Sequence, residues 1–114
     1  MNIIHWLDHE AFGENKPVVT MMSESVFSKE MRIMLREGQA MKAHQTPFPI
    51  SIQILMGVIE FEAEGASAVL RMGDFVSLGG GVVHALVAQE NAVVRLSIHP
   101  KDQAERVSAV AEKA

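Results

Sequence analysis

The chain contains no cysteine, which excludes disulfide bridges and thiolate metal sites. No cluster of lysine or arginine appears, and 10 basic against 14 acidic residues leave a net charge of −4. A nucleic-acid binder needs a basic face from which to release counterions, so that class is excluded too. No apolar run approaches the roughly 20 residues that cross a bilayer as a helix. The opening Met1-Asn2-Ile3-Ile4-His5 lacks the basic start of a signal peptide, so a cytoplasmic protein without a membrane partner is expected. Internal repeats, linkers and low-complexity segments are also missing. What is present fits one globular domain over 1–114: 48% of residues are hydrophobic and 21% charged, enough to build a core and a wet surface. The 8 methionines read as flexible core filling.

Along the chain, Ile3 to Phe12 could form one short helical turn carrying Trp6 and Leu7, which Gly13, Asn15 and Pro17 then break; residues 1–17 read as an N-terminal arm. His5 and His9 are four apart, but terminal histidines are usually solvated, and no metal role is assigned to them. From Val18 the pattern becomes extended. Met31, Ile33 and Leu35 alternate with Arg32, Met34 and Arg36, the period of a half-buried strand. More such runs follow at short intervals between Gly, Pro and Asn, the rhythm of an antiparallel sandwich or barrel. After Pro100 the period turns helical. Asp102 and Glu105 have the spacing of a capping box, and Ala104, Val107 and Ala111 make one apolar face. A short C-terminal helix over about 102–112 is expected to lie on the barrel or on a partner subunit.

Two hairpins can be registered by matching faces. A two-residue turn at Glu64-Gly65 sets Phe61 opposite Ala68 and Ile59 opposite Leu70, leaving Glu60, Glu62, Ser67 and Arg71 on the wet face. A three-residue loop, Gln89 to Asn91, sets His84 opposite Leu96 and Leu86 opposite Val94, with Asn91 left-handed at its end. That register puts Val94, Leu96 and Ile98 inside and Arg95 outside, where its guanidinium avoids the cost of unpaired burial.

Two glycine-framed segments organise the middle of the chain. The first runs Gly38, His44, Thr46, Ile50, Gly57; the second runs Gly73, Gly79, Gly81, His84, Ala88. Their spacing resembles the two motifs of the cupin superfamily, Gly-x5-His-x-His-x3-Glu-x6-Gly and Gly-x5-Pro-x-Gly-x2-His-x3-Asn. The resemblance covers 38–98 and implies an all-β fold, a small jelly-roll barrel with a short C-terminal helix. It also implies inward-pointing histidines and a glutamate holding a divalent metal. His44 and His84 stand at the first and third histidine positions and are the candidate metal ligands for Fe, Mn, Ni or Zn. Thr46 replaces the second histidine, and Ile50 replaces the glutamate. Gln53 lies an odd number of residues from Ile50, so strand alternation turns it to the other face. His99 falls beyond the last strand. The Gly79-Gly80-Gly81 run has no helix after it and reads as a flexible turn rather than a phosphate cradle.

Three functions follow. One is a small-molecule binder lined by Ile50, Ile52 and Ile54, with His44, Thr46 and His84 orienting the ligand. Another is a metal-dependent dioxygenase or isomerase, and the last is an interaction module with a filled barrel. No serine, threonine or lysine has a recognisable base partner, so nucleophilic catalysis has no visible constellation. The resemblance and the open edges of a short jelly roll together predict a homodimer.

Overall fold

The computed structural model describes residues 1–9 and 11–113; Glu10 and Ala114 lie outside the description. Among the described residues nine strands form in chain order: β1 (Val18–Glu24), β2 (Lys29–Leu35), β3 (Ala40–His44), β4 (Ile50–Met56), β5 (Val58–Ala63), β6 (Ala66–Arg71), β7 (Phe75–Leu78), β8 (His84–Ala88) and β9 (Ala92–Ile98). One helix, α1 (Ala104–Glu112), follows. The strands make two sheets, a five-stranded one in the order β1-β2-β9-β4-β7 and a four-stranded one in the order β3-β8-β5-β6. All the pairings are antiparallel.

The core lies between the two sheets and follows from the period of two. Met31, Ile33 and Leu35 on β2, Ile50, Ile52 and Ile54 on β4, and Val94, Leu96 and Ile98 on β9 are buried on one side. Met41, Ile59, Phe61, Leu70, Leu86 and Ala88 are buried on the other. The β5–β6 hairpin has the expected register, with Ile59 opposite Leu70 and Phe61 opposite Ala68. Its turn residues Glu64 and Gly65 have φ of 55° and 76°, as a primed turn requires. Ala68 is nevertheless exposed, because β6 is an edge strand.

The expected pairing of β8 with β9 does not occur. The loop 89–91 crosses from one sheet to the other. His84 pairs with His44 and Ala63, while Leu96 pairs with Met31 and Ile52. Alternation correctly sends Val94, Leu96 and Ile98 inward, but it cannot say which strand lies alongside. Asn91 is not left-handed; its Oδ1 accepts the Glu37 N–H at 2.9 Å. Arg95 does lie outside, bonded to Glu30 at 2.8 Å and 5.8 Å from the Trp6 ring centre.

Strand β2 was expected to be half-buried and is buried on both faces, down to Arg32 and Met34. The N-terminal arm explains this, since it crosses the outer face. Arg32 donates to the carbonyls of Trp6 at 3.2 Å and Asp8 at 2.9 Å. The Ala11 N–H reaches Met34 Sδ. The arm holds a turn at Trp6–His9 rather than a helix.

Helix α1 packs against β1 and β3 and buries Val107 and Ala111. Its N-cap is Gln103 and no side chain caps it, so the capping box is not formed. The Asp102 carboxylate is occupied elsewhere.

Candidate functional site

Strands β3 and β8 bring the two motif histidines together. His44 and His84 are directly paired across the ladder, and their rings meet edge to face with centroids 4.3 Å apart. His84 is 4% exposed and His44 is half-buried. Each Nδ1 faces a backbone carbonyl two residues earlier, Lys42 for His44 and Val82 for His84 at 2.9 Å. A carbonyl only accepts, so each Nδ1 carries the hydrogen and each Nε2 keeps its lone pair. Among the described residues neither Nε2 has a hydrogen-bond partner. Burial holds both imidazoles below their ordinary pKa, against the pull of the two carbonyls, and the Arg106 charge adds to the depression; for His44, so does His84. The pair is therefore neutral at pH 7.

The histidines border a cavity of about 20 Å³, also lined by Ile33, Met41, Ile52, Leu86, Val94, Leu96 and Val107. That is room for about one water-sized group. Val107 closes it from the α1 side. Of the isoleucines expected to line the pocket, Ile52 does so. Ile50 and Ile54, on the same face of β4 to either side of Ile52, are buried in the core but are not part of the cavity wall.

Met41 is a cavity residue that the strand period hides. It lies three residues before His44, an odd offset that should put the two on opposite faces. The β3–β8 register slips between them: Met41 pairs with Leu86 and His44 with His84. The extra residue on β3 is a bulge, and it re-aims the strand so that both side chains reach the inside.

Thr46 is buried but is not one of the residues lining the cavity. Its hydroxyl donates to Asp102 Oδ2 at 2.8 Å and accepts the Phe48 N–H at 3.3 Å. Arg106 grips the same carboxylate twice, Nε to Oδ1 at 3.0 Å and Nη2 to Oδ2 at 2.8 Å. The Gln103 N–H donates to Oδ1 at 2.7 Å. Burial pushes the Asp102 carboxyl up, and these hydrogen bonds more than reverse it, so it stays ionised well into acid. Sequence reasoning missed this cluster. Asp102 and Arg106 are an i, i+4 pair at a helix start, a visible signal, but nothing local points to Thr46, 56 residues away.

The Gly79-Gly80-Gly81 segment is held in place. The Gly81 N–H donates to the Thr46 carbonyl at 2.7 Å. A Cβ at Gly80 would lie 2.1 Å from the Pro47 oxygen, so only glycine lets the two loops approach this closely. His99 stacks on Phe48 at 4.8 Å. Gln53, opposite Arg95 and Phe75, lies on the outer face as alternation requires.

The divalent Fe, Mn, Ni or Zn implied by the motif resemblance does not fit these residues. Among the described residues no group of three His, Cys, Asp or Glu side chains could hold such an ion. A protein site for such an ion normally supplies at least three ligands, often with a carboxylate among them. Here Ile50 cannot ligate, and Thr46 and Asp102 are committed to each other.

No protein-family model matches the chain, and neither does any curated protein. Solved structures do. An RmlC-like cupin protein from Desulfovibrio desulfuricans is 22% identical with a TM-score of 0.81, covering 88% of this chain and 97% of its own. The TT1209 protein from Thermus thermophilus is 18% identical with a TM-score of 0.80, covering 88% and 98%. A cupin superfamily protein from Desulfitobacterium hafniense is 14% identical with a TM-score of 0.69, covering 79% and 83%. The likeness is one of fold: this is a small cupin-fold chain.

Proposed function

We propose that this cupin-fold chain is a binding protein that takes a small ligand at the His44–His84 pair inside the barrel. One observation carries the reading. Two neutral imidazoles lie 4.3 Å apart, each anchored through Nδ1 and each with an unpartnered Nε2, beside a cavity of about 20 Å³. Anchored rings with free lone pairs are prepared to accept from, or donate electrons to, whatever enters. As it stands the cavity admits only a water-sized group, so a larger molecule must lift Val107 and α1. The donor set disfavours the metal-dependent dioxygenase or isomerase, which would need ligands that Thr46 and Ile50 do not supply. The small volume lends some support to a filled barrel with no ligand.

Nitrogen NMR of the histidine side chains separates the two. Fragments of a few heavy atoms and simple metal ions are added one at a time to the labelled chain. Binding inside the barrel shifts both Nε2 signals with at least one additive and is lost in His84→Gln. Signals that no additive moves would mean a filled barrel.

A further inference from the structure

The two sheets end in four edge strands, β1 and β7 in one and β3 and β6 in the other. An open edge offers a row of unpaired N–H and C=O groups to any extended chain, and folds blunt such edges with bulges, brevity, charge or cover. Three of the four are blunted. β1 and β3 each carry a register irregularity, between Met21 and Ser23 and between Met41 and His44, and α1 packs on both. β7 is only four residues long. β6 is different. Its six residues run in unbroken register with β5, with no charge before Arg71 at the end. All of them are exposed except Leu70.

The free backbone groups of β6 can be assigned. The tight Glu64-Gly65 turn makes Ala63 and Ala66 a hydrogen-bonded pair, and such pairs alternate along an antiparallel ladder. Ala66, Ala68 and Leu70 therefore bond to β5, while Ser67, Val69 and Arg71 turn their N–H and C=O groups outward. Arg71 bears out this parity: its N–H donates to Asp74 Oδ2 at 2.8 Å, and its carbonyl accepts the Asp74 N–H at 2.9 Å. Those bonds close the edge at Arg71. Ser67 and Val69 are left with outward groups that have no partner among the described residues.

The spacing of these two residues selects the occupant. A second copy, turned about a two-fold axis through Ala68, sets each Ser67 opposite the other copy's Val69. Every free N–H and C=O on both edges is then bonded. Moving the axis to Val69 would set Ser67 against Arg71, whose groups are taken. In the Ala68 register Ala66 meets Leu70, and both lie on the inward side of the sheet, opposite Ala63 and Ile59 of β5. Arg71 falls beside the Glu64-Gly65 turn of the other copy, so the same ion pair forms twice. Among the described residues neither Arg71 nor Glu64 has a salt-bridge partner in its own chain.

We infer that β6 is the interface between two copies of this chain, paired antiparallel about Ala68 so that their four-stranded sheets become continuous. The inference does not depend on what the barrel binds.

Sedimentation equilibrium of the full chain should show a monomer–dimer equilibrium with a dissociation constant on the order of 10 µM, since the contact is narrow beside the roughly 1,600 Å² of a standard interface. Val69→Pro removes an outward N–H that the β5 ladder does not use. It should spare the fold, as circular dichroism checks, and weaken the dimer by at least roughly 10-fold. Arg71→Glu should weaken it several-fold, and adding Glu64→Arg should restore it. The chain has no cysteine, so an introduced thiol can cross-link only to its copy. Facing residues of a non-hydrogen-bonded pair have Cα atoms about 4.5 Å apart, within the span of a disulfide. Ala68→Cys should therefore oxidise to a covalent dimer several-fold faster than Val69→Cys, whose thiols lie two residues out of register. The inference is overturned if the chain sediments as a monomer throughout, if a dimer survives Val69→Pro unchanged, or if the two cysteine variants cross-link at equal rates. Capture of a foreign extended peptide on β6 by a monomeric chain would overturn it as well.

Discussion

The His44–His84 pair and the Thr46–Asp102–Arg106 cluster begin two residues apart on one segment, yet they use their polar atoms in opposite ways. In the cluster every carboxylate oxygen and the threonine hydroxyl are taken. In the pair each ring is anchored on one side and open on the other. The first arrangement ties the start of α1 to the barrel; the second leaves a lone pair free on each ring. A polar group whose every bond is taken serves structure, whereas an anchored ring with a free lone pair can still accept a hydrogen bond.

That contrast can be broken most forcefully at Asp102. Asp102→Ala leaves a partly buried guanidinium and the Thr46 hydroxyl without their acceptor. It should cost about 3 kcal/mol of stability, measured by urea unfolding. A loss no greater than that of an exposed alanine substitution would show the cluster to be incidental.

Acid offers a gentler way to open the same cluster. The Asp102 carboxyl has its pKa lowered from an ordinary value of 3.8, and burial opposes the shift while Arg106, Thr46 and Gln103 drive it. Lys29 also approaches, through the Asp102 carbonyl at 2.7 Å. A depressed carboxylate stabilises the fold above its unfolded value, and the gain is lost as pH falls through the lower folded value. Glu30 adds to the effect in the same direction. Burial alone would raise its pKa, but Arg95, Ser28 and Ser97 bring it below 4.5. Stability should therefore begin to fall below about pH 6.5, where His44 and His84 take up protons more readily unfolded than folded, and fall further below about pH 4.5. The acid limb should be shallower in Asp102→Asn, as read from unfolding midpoints across pH; a limb of unchanged slope would count against the assignment.

The smallest effect is expected at the pair itself. His44→Gln should change stability by less than about 1 kcal/mol, while abolishing the response of the remaining Nε2 to added ligand. If His44→Gln proves as damaging as Asp102→Ala, the imidazoles belong to the scaffold and the contrast dissolves.

The fold was largely legible because glycine spacing and strand alternation are local signals. The Glu64-Gly65 turn and the inward set on β9 came directly from them. That the two histidines both point inward was implied by the motif resemblance; their pairing across β3 and β8 was not foreseen. Partnership between strands was not legible: the loop after Ala88 looks the same whether it closes a hairpin or crosses between sheets. The double burial of β2 was hidden for a related reason. Arg32 and Met34 read as a wet face until a distant arm covers them. At the site, Met41 escaped notice because one extra residue in β3 overrides the period of two. The Thr46–Asp102 contact joins residues 56 apart, and no pattern within a strand or helix reports that.

The position of β9 has a consequence for how the barrel comes to exist. It is the last of the nine strands in chain order, yet it lies third of five in its sheet, between β2 and β4. Until residue 98 has left the ribosome, those two strands have nothing between them and their hydrogen-bonding edges stay open. Such an order of synthesis makes folding wait until the barrel's chain is nearly all made and slows it through distant pairings. It also makes a truncated product, ending before Ala92, a sticky half-sheet rather than a smaller barrel.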